Sequence, residues 1–132
     1  MTWLIDTDVF IEGERGNPAF VPWLESVQSV STADVVRAEF LLGVHAVPDA
    51  AKRQRGLEFY HGRITSLPSF ASDPADYAVA AALAGEARRN GKGRPSLADG
   101  LLAAIAQRTG ASIATRNLTD FQAMGCPCAN PL

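Results

Sequence analysis

Apolar residues along the chain fall into short blocks whose lengths and periods predict alternating strands and helices. Blocks of strand length occupy residues 3–5, 30–32, 64–67, 111–115 and 126–129. Segments typical of helices lie at residues 18–27, 33–44, 49–60, 73–89 and 96–108. Strands that alternate with helices pair in parallel, and the helices then cover both faces of the sheet. The pattern therefore predicts an α/β fold with three layers, α/β/α, and a parallel sheet of about four to five strands.

Capping residues predict where the two most alanine-rich helices begin and end. Asp73 and Pro74 are typical of an N-cap followed by the first helical residue, and Ser96 is a second N-cap. Gly110 is typical of the residue that ends a helix. Asp99, three residues after Ser96, then lies in the first turn of the last long helix.

The size and composition of the chain predict one domain that spans residues 1–132. Hydrophobic residues make up 47% of the sequence, which is near the average for globular proteins and excludes an intrinsically disordered chain. No apolar run approaches the roughly 20 residues of a membrane span, and the N-terminus lacks the pattern of a secretory signal. Cys126 and Cys128 are too close in sequence for a relaxed disulfide, so we interpret them as free thiols in a reducing cytoplasm.

Two acidic residues stand where apolar structure ends or is interrupted. Asp6 ends the first strand, where it could simply form a turn with its own backbone. Glu39 follows Val35 and Val36 by four and three residues, which puts it on the apolar stripe of its helix. A carboxylate on a buried face needs a cationic partner. Glu39 therefore indicates either a metal or an ion pair with an arginine that is distant in sequence.

Two further acids belong to the same candidate set. Asp99 is at the third helical position after Ser96, which is also the position of the acid in a capping box. Asp120 follows the fourth strand by a few residues and could instead cap a helix or a turn. In a parallel sheet the reactive crevice lies beyond the carboxyl ends of the strands, where Asp6 and segment 115–120 both fall.

The chemistry of these acids predicts a divalent-metal site. Clustered carboxylates repel one another unless cations bridge them. Oxygen ligands without cysteine or histidine favour Mg²⁺ or Mn²⁺. Such ions can activate water and stabilise the leaving oxygen of a phosphodiester.

Four segments, in order along nearly the whole chain, resemble motifs of the PIN-domain family and specifically of the VapC toxins. They are segments 4–11, 38–44, 97–106 and 114–131. The first resembles the family's opening motif of an apolar strand, an aspartate and a serine or threonine, although Asp8 stands where asparagine is usual. The last has Asn117 where many relatives have an aspartate.

This resemblance implies a PIN-like α/β/α domain that acts as a metal-dependent endoribonuclease, the toxin of a type II toxin–antitoxin (VapBC) pair. It implies Mg²⁺ or Mn²⁺ as the cofactor, RNA as the substrate and a VapB-like antitoxin as a partner. Together with the apolar segments around Trp23 and at residues 40–42, it also predicts a homodimer.

The resemblance also implies roles for individual residues. Asp6, Glu39 and Asp99 match the acids of the family's metal site. For the fourth acid we favour Asp120 over Asn117, because a charged carboxylate binds a divalent ion more strongly than a neutral amide oxygen does. The predicted catalytic residues are Asp6, Glu39, Asp99 and Asp120. The predicted metal ligands are Asp6, Asp99 and Asp120, and the supporting residues are Thr7, Asp8, Thr115 and Asn117.

A basic segment immediately before Asp99 fits an RNA substrate without reference to the family. The net charge is −2, so the chain as a whole does not attract nucleic acid, but a local basic patch can. The same segment could be only the favourable basic end of a helix. The predicted RNA-binding residues are Arg88, Arg89, Lys92, Arg94 and Arg116.

Three other functions fit parts of the pattern. A catalytically weak PIN-fold protein could act mainly by binding an antitoxin, although retention of the acids argues against it. A haloacid-dehalogenase-type phosphatase would use Asp6 and Asp8, but neither Lys52 nor Lys92 follows a convincing strand, as its lysine should. A receiver-like signalling domain needs an aspartate at the end of a middle strand, which the third predicted strand lacks. A metal-dependent ribonuclease is therefore the favoured function.

Overall fold

Five parallel strands form one sheet in the computed structural model, which describes residues 1–132. The strands are β1 (Trp3–Ile5), β2 (Val30–Ala33), β3 (Ser69–Phe70), β4 (Ser112–Ala114) and β5 (Cys128–Ala129). Their order across the sheet is β3-β2-β1-β4-β5, and every neighbouring pair is parallel. Helices flank this sheet, so the predicted α/β fold is confirmed.

The middle strand, β1, determines where the first acid lies. Leu4 pairs with Ser31 of β2 on one side and with Ile113 of β4 on the other. Leu4 and Ile5 are fully buried, as expected of a strand covered on both faces. Asp6 follows directly, so it lies at the centre of the carboxyl edge of the sheet.

Seven helices connect the strands. They are α1 (Thr7–Glu14), α2 (Phe20–Ser26), α3 (Asp34–His45), α4 (Ala50–Phe59), α5 (Pro74–Arg89), α6 (Leu97–Thr109) and α7 (Leu118–Ala123). The predicted caps of α5 and α6 are confirmed, and Gly110 ends α6 with a φ of 73°, a conformation that favours glycine. No helix combines the length and the apolar character needed to cross a bilayer.

The prediction of a strand at residues 64–67 is wrong. Ile64 instead ends a π-helical turn, Tyr60–Ile64, that continues α4, and its side chain is buried in the core. The N–H of Leu67 donates to the carbonyl of Ile64, so these two apolar residues bracket a turn. Pairing with β2 begins only at Pro68, whose carbonyl accepts from the N–H of Thr32 at 2.8 Å. Proline cannot donate within a sheet, so the strand starts after it.

Helices α1 and α7 were not predicted from the pattern. Helix α1 begins immediately after Asp6, which caps it, so the turn considered at Asp6 is the start of a helix. Helix α7 has only six residues, too few for a helical period to be recognised in the sequence.

Aromatic side chains join the helices on one side of the site. The rings of Phe10 and Phe20 lie 6.4 Å apart, and Phe20 in turn lies 5.9 Å from Phe59. Phe40 of α3 lies 5.7 Å from Phe59, so α1, α2, α3 and α4 share one aromatic cluster. This packing holds α3 beside α1, which brings Glu39 near the end of β1.

Helices α5 and α6 approach each other closely because Gly100 has no side chain. A Cβ built at Gly100 would lie 2.6 Å from the carbonyl oxygen of Ala80. The same two helices are joined by an ion pair in which Arg108 donates to both carboxylate oxygens of the buried Asp76. This close packing determines where the first turn of α6 lies.

We expect Gly100→Ala to destabilise the chain by about 1–3 kcal/mol, because the added methyl group would force the two helix backbones apart. Alanine ordinarily stabilises a helix relative to glycine by about 1 kcal/mol, so the sign of the effect is diagnostic. Gly43→Ala in α3 is the matched control, since a Cβ there meets nothing within 4 Å. Urea denaturation of both variants tests this, and a stabilised Gly100→Ala would contradict the close packing.

Candidate active site

Neighbouring strands bring Asp6 and Thr115 together at the carboxyl edge of the sheet. Asp6 follows β1 and Thr115 follows β4, and the N–H of Asp6 donates to the carbonyl of Ala114 at 2.9 Å. Asp6 is only 6% exposed, and Thr115 is fully buried. The centre of the site is therefore a carboxylate held inside the protein.

Asp6 is oriented by a hydrogen bond to each of its oxygens. Its Oδ1 accepts from the backbone N–H of Thr7 at 2.8 Å, which caps α1, and its Oδ2 accepts from the hydroxyl of Thr115 at 2.8 Å. Burial raises the pKa of Asp6 to about 7, with further contributions from the negative charges of Asp8 and Asp99. The two hydrogen bonds oppose this rise but do not overcome it.

Asp8 adds a second carboxylate beside Asp6. Its Oδ2 accepts from the backbone N–H of Arg116 at 3.0 Å and lies 3.4 Å from the Thr115 hydroxyl. Its Oδ1 is buried and has no hydrogen-bond partner. Burial raises the pKa of Asp8 as well. Asp8, which was predicted as a supporting residue, thus has one carboxylate oxygen without a hydrogen-bond partner.

Glu39 reaches the site from α3 through a hydroxyl group of α1. Its Oε1 accepts from the Thr7 hydroxyl at 2.9 Å. Burial raises the pKa of Glu39, and the charges of Asp99 and Asp8 raise it further. The chain contains two ion pairs, Arg108 with Asp76 and Arg116 with Glu12, so the alternative that Glu39 pairs with an arginine is wrong.

Asp99 both caps its helix and belongs to the cluster of acids. Its Oδ2 accepts from the N–H of Ser96 at 3.0 Å, and the Ser96 hydroxyl accepts from the N–H of Asp99 at 3.1 Å, which is the complete capping box. The charge of Asp99 also raises the pKa of both Asp6 and Glu39. The two interpretations of this residue are therefore compatible.

The cluster of Asp6, Asp8, Glu39 and Asp99 fits a divalent cation in charge and in ligand type. The charges of Asp8 and Asp99 raise the pKa of both Asp6 and Glu39. None of the four carboxylates forms an ion pair, and one buried oxygen has no partner. No three of these side chains are close enough to one another to form a ready-made metal site. Asp6 and Asp99 also cap helices. A carboxylate oxygen that accepts one hydrogen bond still has a free lone pair, so these caps leave ligand capacity.

Asn117 directly precedes α7 as its N-cap residue, and Asp120 lies in the first turn of that helix. The amide of Asn117 donates to Oδ2 of Asp120 at 2.9 Å, which is the contact expected if Asn117 orients that acid. Oδ1 of Asp120 accepts from the backbone N–H of Arg94 at 3.0 Å. Asp120 is not among the charges that raise the pKa of Asp6 or Glu39. The contact with Arg94 holds the segment between α5 and α6 against α7.

Four of the five predicted RNA-binding residues are exposed and have no acidic partner. Arg88, Arg89, Lys92 and Arg94 lie at the end of α5 and in the segment that leads to Asp99. Arg88 donates from its Nε to the carbonyl of Pro95 at 2.9 Å, which leaves its other guanidinium nitrogens free. Arg116 differs from them, because it pairs with Glu12 of α1.

A groove beside Glu39 was not predicted from the sequence. It has a volume of about 590 Å³ and opens between α1, α3 and α4. Phe40 and Val44 line it together with Glu39, and basic side chains including Arg15 and Arg55 also border it. Its lining comes from three helices that are separate in sequence, so no local pattern could have revealed it.

Comparisons with known proteins agree with this architecture. A crystal structure described as FitAcB from Neisseria gonorrhoeae is 29% identical, with a TM-score of 0.83 over 98% of this chain and 97% of that one. DNA-bound VapBC from Salmonella typhimurium is 17% identical, with a TM-score of 0.81 over 100% of this chain and 99% of that one.

A third structure, VapBC-5 from Mycobacterium tuberculosis, is described as a member of the VapBC family of toxin-antitoxin systems. It is 23% identical, with a TM-score of 0.67 over 88% of this chain and 85% of that one. No curated protein sequence matches the chain significantly. The family model of the PIN domain matches residues 3–125, nearly the whole chain, and this protein therefore belongs to the PIN domain family.

Proposed function

We propose that this chain is a divalent-metal-dependent endoribonuclease and the toxin of a type II toxin–antitoxin pair. The observation that carries the proposal is the cluster of Asp6, Asp8, Glu39 and Asp99 at the carboxyl edge of the sheet. The pKa values of the first three are raised, and none of the four forms an ion pair. PIN domains are generally nucleases, which supports hydrolysis of a nucleic acid. The structural similarity to VapBC and FitAcB supports the toxin assignment.

Each acid has a distinct part in the proposed reaction. Asp6 and Asp99 would hold Mg²⁺ or Mn²⁺, and Asp8 can contribute its free oxygen. A bound ion would neutralise charge on the phosphate and lower the pKa of a water molecule. Glu39, with a raised pKa and a hydrogen bond from Thr7, can accept the proton that the attacking water loses.

The exposed cations next to Asp99 would bind the phosphates on either side of the scissile bond. Arg88, Arg89, Lys92 and Arg94 have no acidic partner and are free for this role. Contacts to phosphates give affinity rather than sequence specificity, so they suit a cleavage site recognised by RNA shape. Arg116 would contribute only if it left Glu12.

An antitoxin and a second copy of this chain are the proposed protein partners. An antitoxin segment in the groove between α1, α3 and α4 would contact Glu39 directly and would block the acids. The homodimer rests on the family resemblance. Both cysteines are free thiols, which fits a reducing cytoplasm where RNA is available.

We expect Asp6→Asn to abolish metal-dependent cleavage of a fluorescent RNA while the protein stays folded, because the change removes a charge but almost no volume.

We also expect Mg²⁺ or Mn²⁺ to raise the melting temperature of the wild type, by the equivalent of about 2.7 kcal/mol at a hundred times the dissociation constant. This increment should vanish when Asp6→Asn and Asp99→Asn are combined.

Glu58→Gln is the matched control for loss of an acid, since Glu58 is an exposed residue of α4. It should keep both cleavage and the response to metal. If metal raised the melting temperature of the wild type and of the double variant equally, Asp6 and Asp99 would not be metal ligands. Folded wild-type protein that binds metal and antitoxin but cleaves no RNA would favour the catalytically weak alternative.

The pKa of Asp6 predicts how the stability of the metal-free protein depends on pH. Folding raises this pKa from its ordinary 3.8 to about 7, so between these values the folded chain binds more protons than the unfolded one. The free energy of unfolding therefore falls as the pH rises through this range, by on the order of 2–4 kcal/mol for this group. Asp8 and Glu39 act in the same direction.

Urea denaturation in EDTA at about pH 5 and about pH 8 measures this slope. Asp6→Asn should flatten it and should make the metal-free protein more stable than the wild type at the higher pH. Glu58→Gln should leave the slope unchanged. A slope that is the same in Asp6→Asn and the wild type would show that Asp6 ionises normally.

The role of Asp120 is testable through its neighbour. If Asp120 is the fourth acid, Asp120→Asn should weaken metal affinity and cleavage by about 10-fold or more, and Asn117→Ala should have a smaller effect. Asn117→Asp should then restore both properties in the Asp120→Asn background. If Asp120→Asn instead cleaves RNA as well as the wild type does, the role of Asp120 is only to hold the segment at Arg94 in place.

A further inference from the structure

Arg116 is held by α1 at two points, once through its backbone and once through its side chain. Its backbone N–H donates to Oδ2 of Asp8 at 3.0 Å, and its guanidinium donates to Oε1 of Glu12. Asp8 and Glu12 are four residues apart on α1, so their side chains are neighbours, with Cβ atoms about 5–6 Å apart. The positive charge of Arg116 therefore lies beside Glu12, one helical turn away from Asp8.

Glu12 is the anchored partner of this ion pair. Its Oε2 accepts from the side-chain amide of Asn17 at 3.4 Å, and Oδ1 of Asn17 accepts from the N–H of Ala19 at 2.9 Å. The side chain of Glu12 is 19% exposed, whereas that of Arg116 is 51% exposed. If the pair were broken, the arginine is therefore the partner that has room to turn toward another acid.

Asp8 offers the guanidinium of Arg116 a second place to bind. Its Oδ1 is buried and has no hydrogen-bond partner. Burial raises the pKa of Asp8, and the positive charge of Arg116 opposes that rise, so the two groups already interact. An arginine forms strong charge-assisted hydrogen bonds with a carboxylate. Without Glu12, a shift of the guanidinium by about one helical turn would bring it to Asp8.

A guanidinium bound to Asp8 would compete with a divalent cation. Both would use the same carboxylate oxygens, and two positive charges at this distance repel each other. Arg116 is the only arginine that hydrogen-bonds to the cluster of Asp6, Asp8, Glu39 and Asp99, and it does so through its backbone. The cluster is thus without an ion pair although an arginine lies directly beside it.

We propose that Glu12 keeps the guanidinium of Arg116 away from Asp8, so that the acids of the site stay free for a divalent cation. Glu12 is then a positioning residue, because it acts through Arg116 and contacts neither the metal nor the substrate. The inference rests on the metal site of the proposed function but not on the RNA substrate. It gives a role to a partly exposed ion pair, a kind of contact that usually adds little to stability.

The ion pair could instead serve only to hold the segment after β4 in place. Arg116 follows Thr115, whose hydroxyl donates to Asp6, so a displaced segment would disturb the site. The two roles differ in what Arg116 does when Glu12 is absent. A structural tie needs both partners equally, whereas in the proposed role Arg116 harms metal binding once Glu12 no longer holds it.

Calorimetric titration with Mn²⁺, without RNA, tests the proposal on four proteins: the wild type, Glu12→Gln, Arg116→Gln and the double variant. We expect Glu12→Gln to raise the Mn²⁺ dissociation constant about tenfold. Arg116→Gln should bind Mn²⁺ at least as tightly as the wild type. In the Arg116→Gln background, Glu12→Gln should have no further effect, because no guanidinium remains to compete. The rise in melting temperature with Mn²⁺ should follow the same order.

Glu14→Gln is the matched control, since it removes the same charge from the same helix at a residue without an ion pair. It should keep the Mn²⁺ affinity of the wild type. If only long-range charge matters, Glu12→Gln will weaken binding equally with and without Arg116, and the two effects will add. If the pair is only a structural tie, Arg116→Gln will weaken binding as much as Glu12→Gln does. Either result overturns the proposal.

A crystal structure of metal-free Glu12→Gln gives a direct second measurement. The guanidinium of Arg116 should be hydrogen-bonded to Asp8, and a guanidinium that stays beside residue 12 overturns the proposal. Wild-type affinity for Mn²⁺ in Glu12→Gln would also overturn it, while leaving the metal site of the proposed function standing. A wild type that binds no Mn²⁺ would overturn the metal site and this inference together.

Discussion

The burial of a carboxylate at the centre of the sheet edge is the constraint on which the rest of the site depends. Asp6 ends the middle strand, caps α1 and is almost completely removed from water. Two hydrogen bonds orient it but leave its pKa raised. The charges of Asp8 and Asp99 act on both Asp6 and Glu39. The chain has therefore brought together acids that form no ion pair with its own cations.

Structural and chemical roles fall on the same side chains. Asp6 is an N-cap and Asp99 completes a capping box, and both also belong to the cluster of acids. Two threonine hydroxyl groups connect the cluster, one from Thr7 to Glu39 and the other from Thr115 to Asp6. A cap fixes the position of a carboxylate without using all its lone pairs, so it prepares the group to bind an ion.

The close packing of α5 and α6 connects the site to the surface. Gly100 lies against the backbone of Ala80, and the Asp76–Arg108 pair joins the same two helices. The basic segment between them leads into the first turn of α6, where Asp99 stands. The outer face of α5 therefore lies one helix away from Asp99.

The sequence by itself determined the α/β class, the caps of α5 and α6, and Asp6, Glu39 and Asp99 as candidate acids of a metal site. These features depend on neighbouring residues, whose periodicity and capping chemistry are local. The sequence did not determine the third strand, the groove, or the hydrogen bonds from Thr7 and Thr115, which join residues 32 and 109 positions apart. Only packing in three dimensions decides which distant side chains meet: Glu39 accepts a hydrogen bond from a hydroxyl group and forms no ion pair with an arginine.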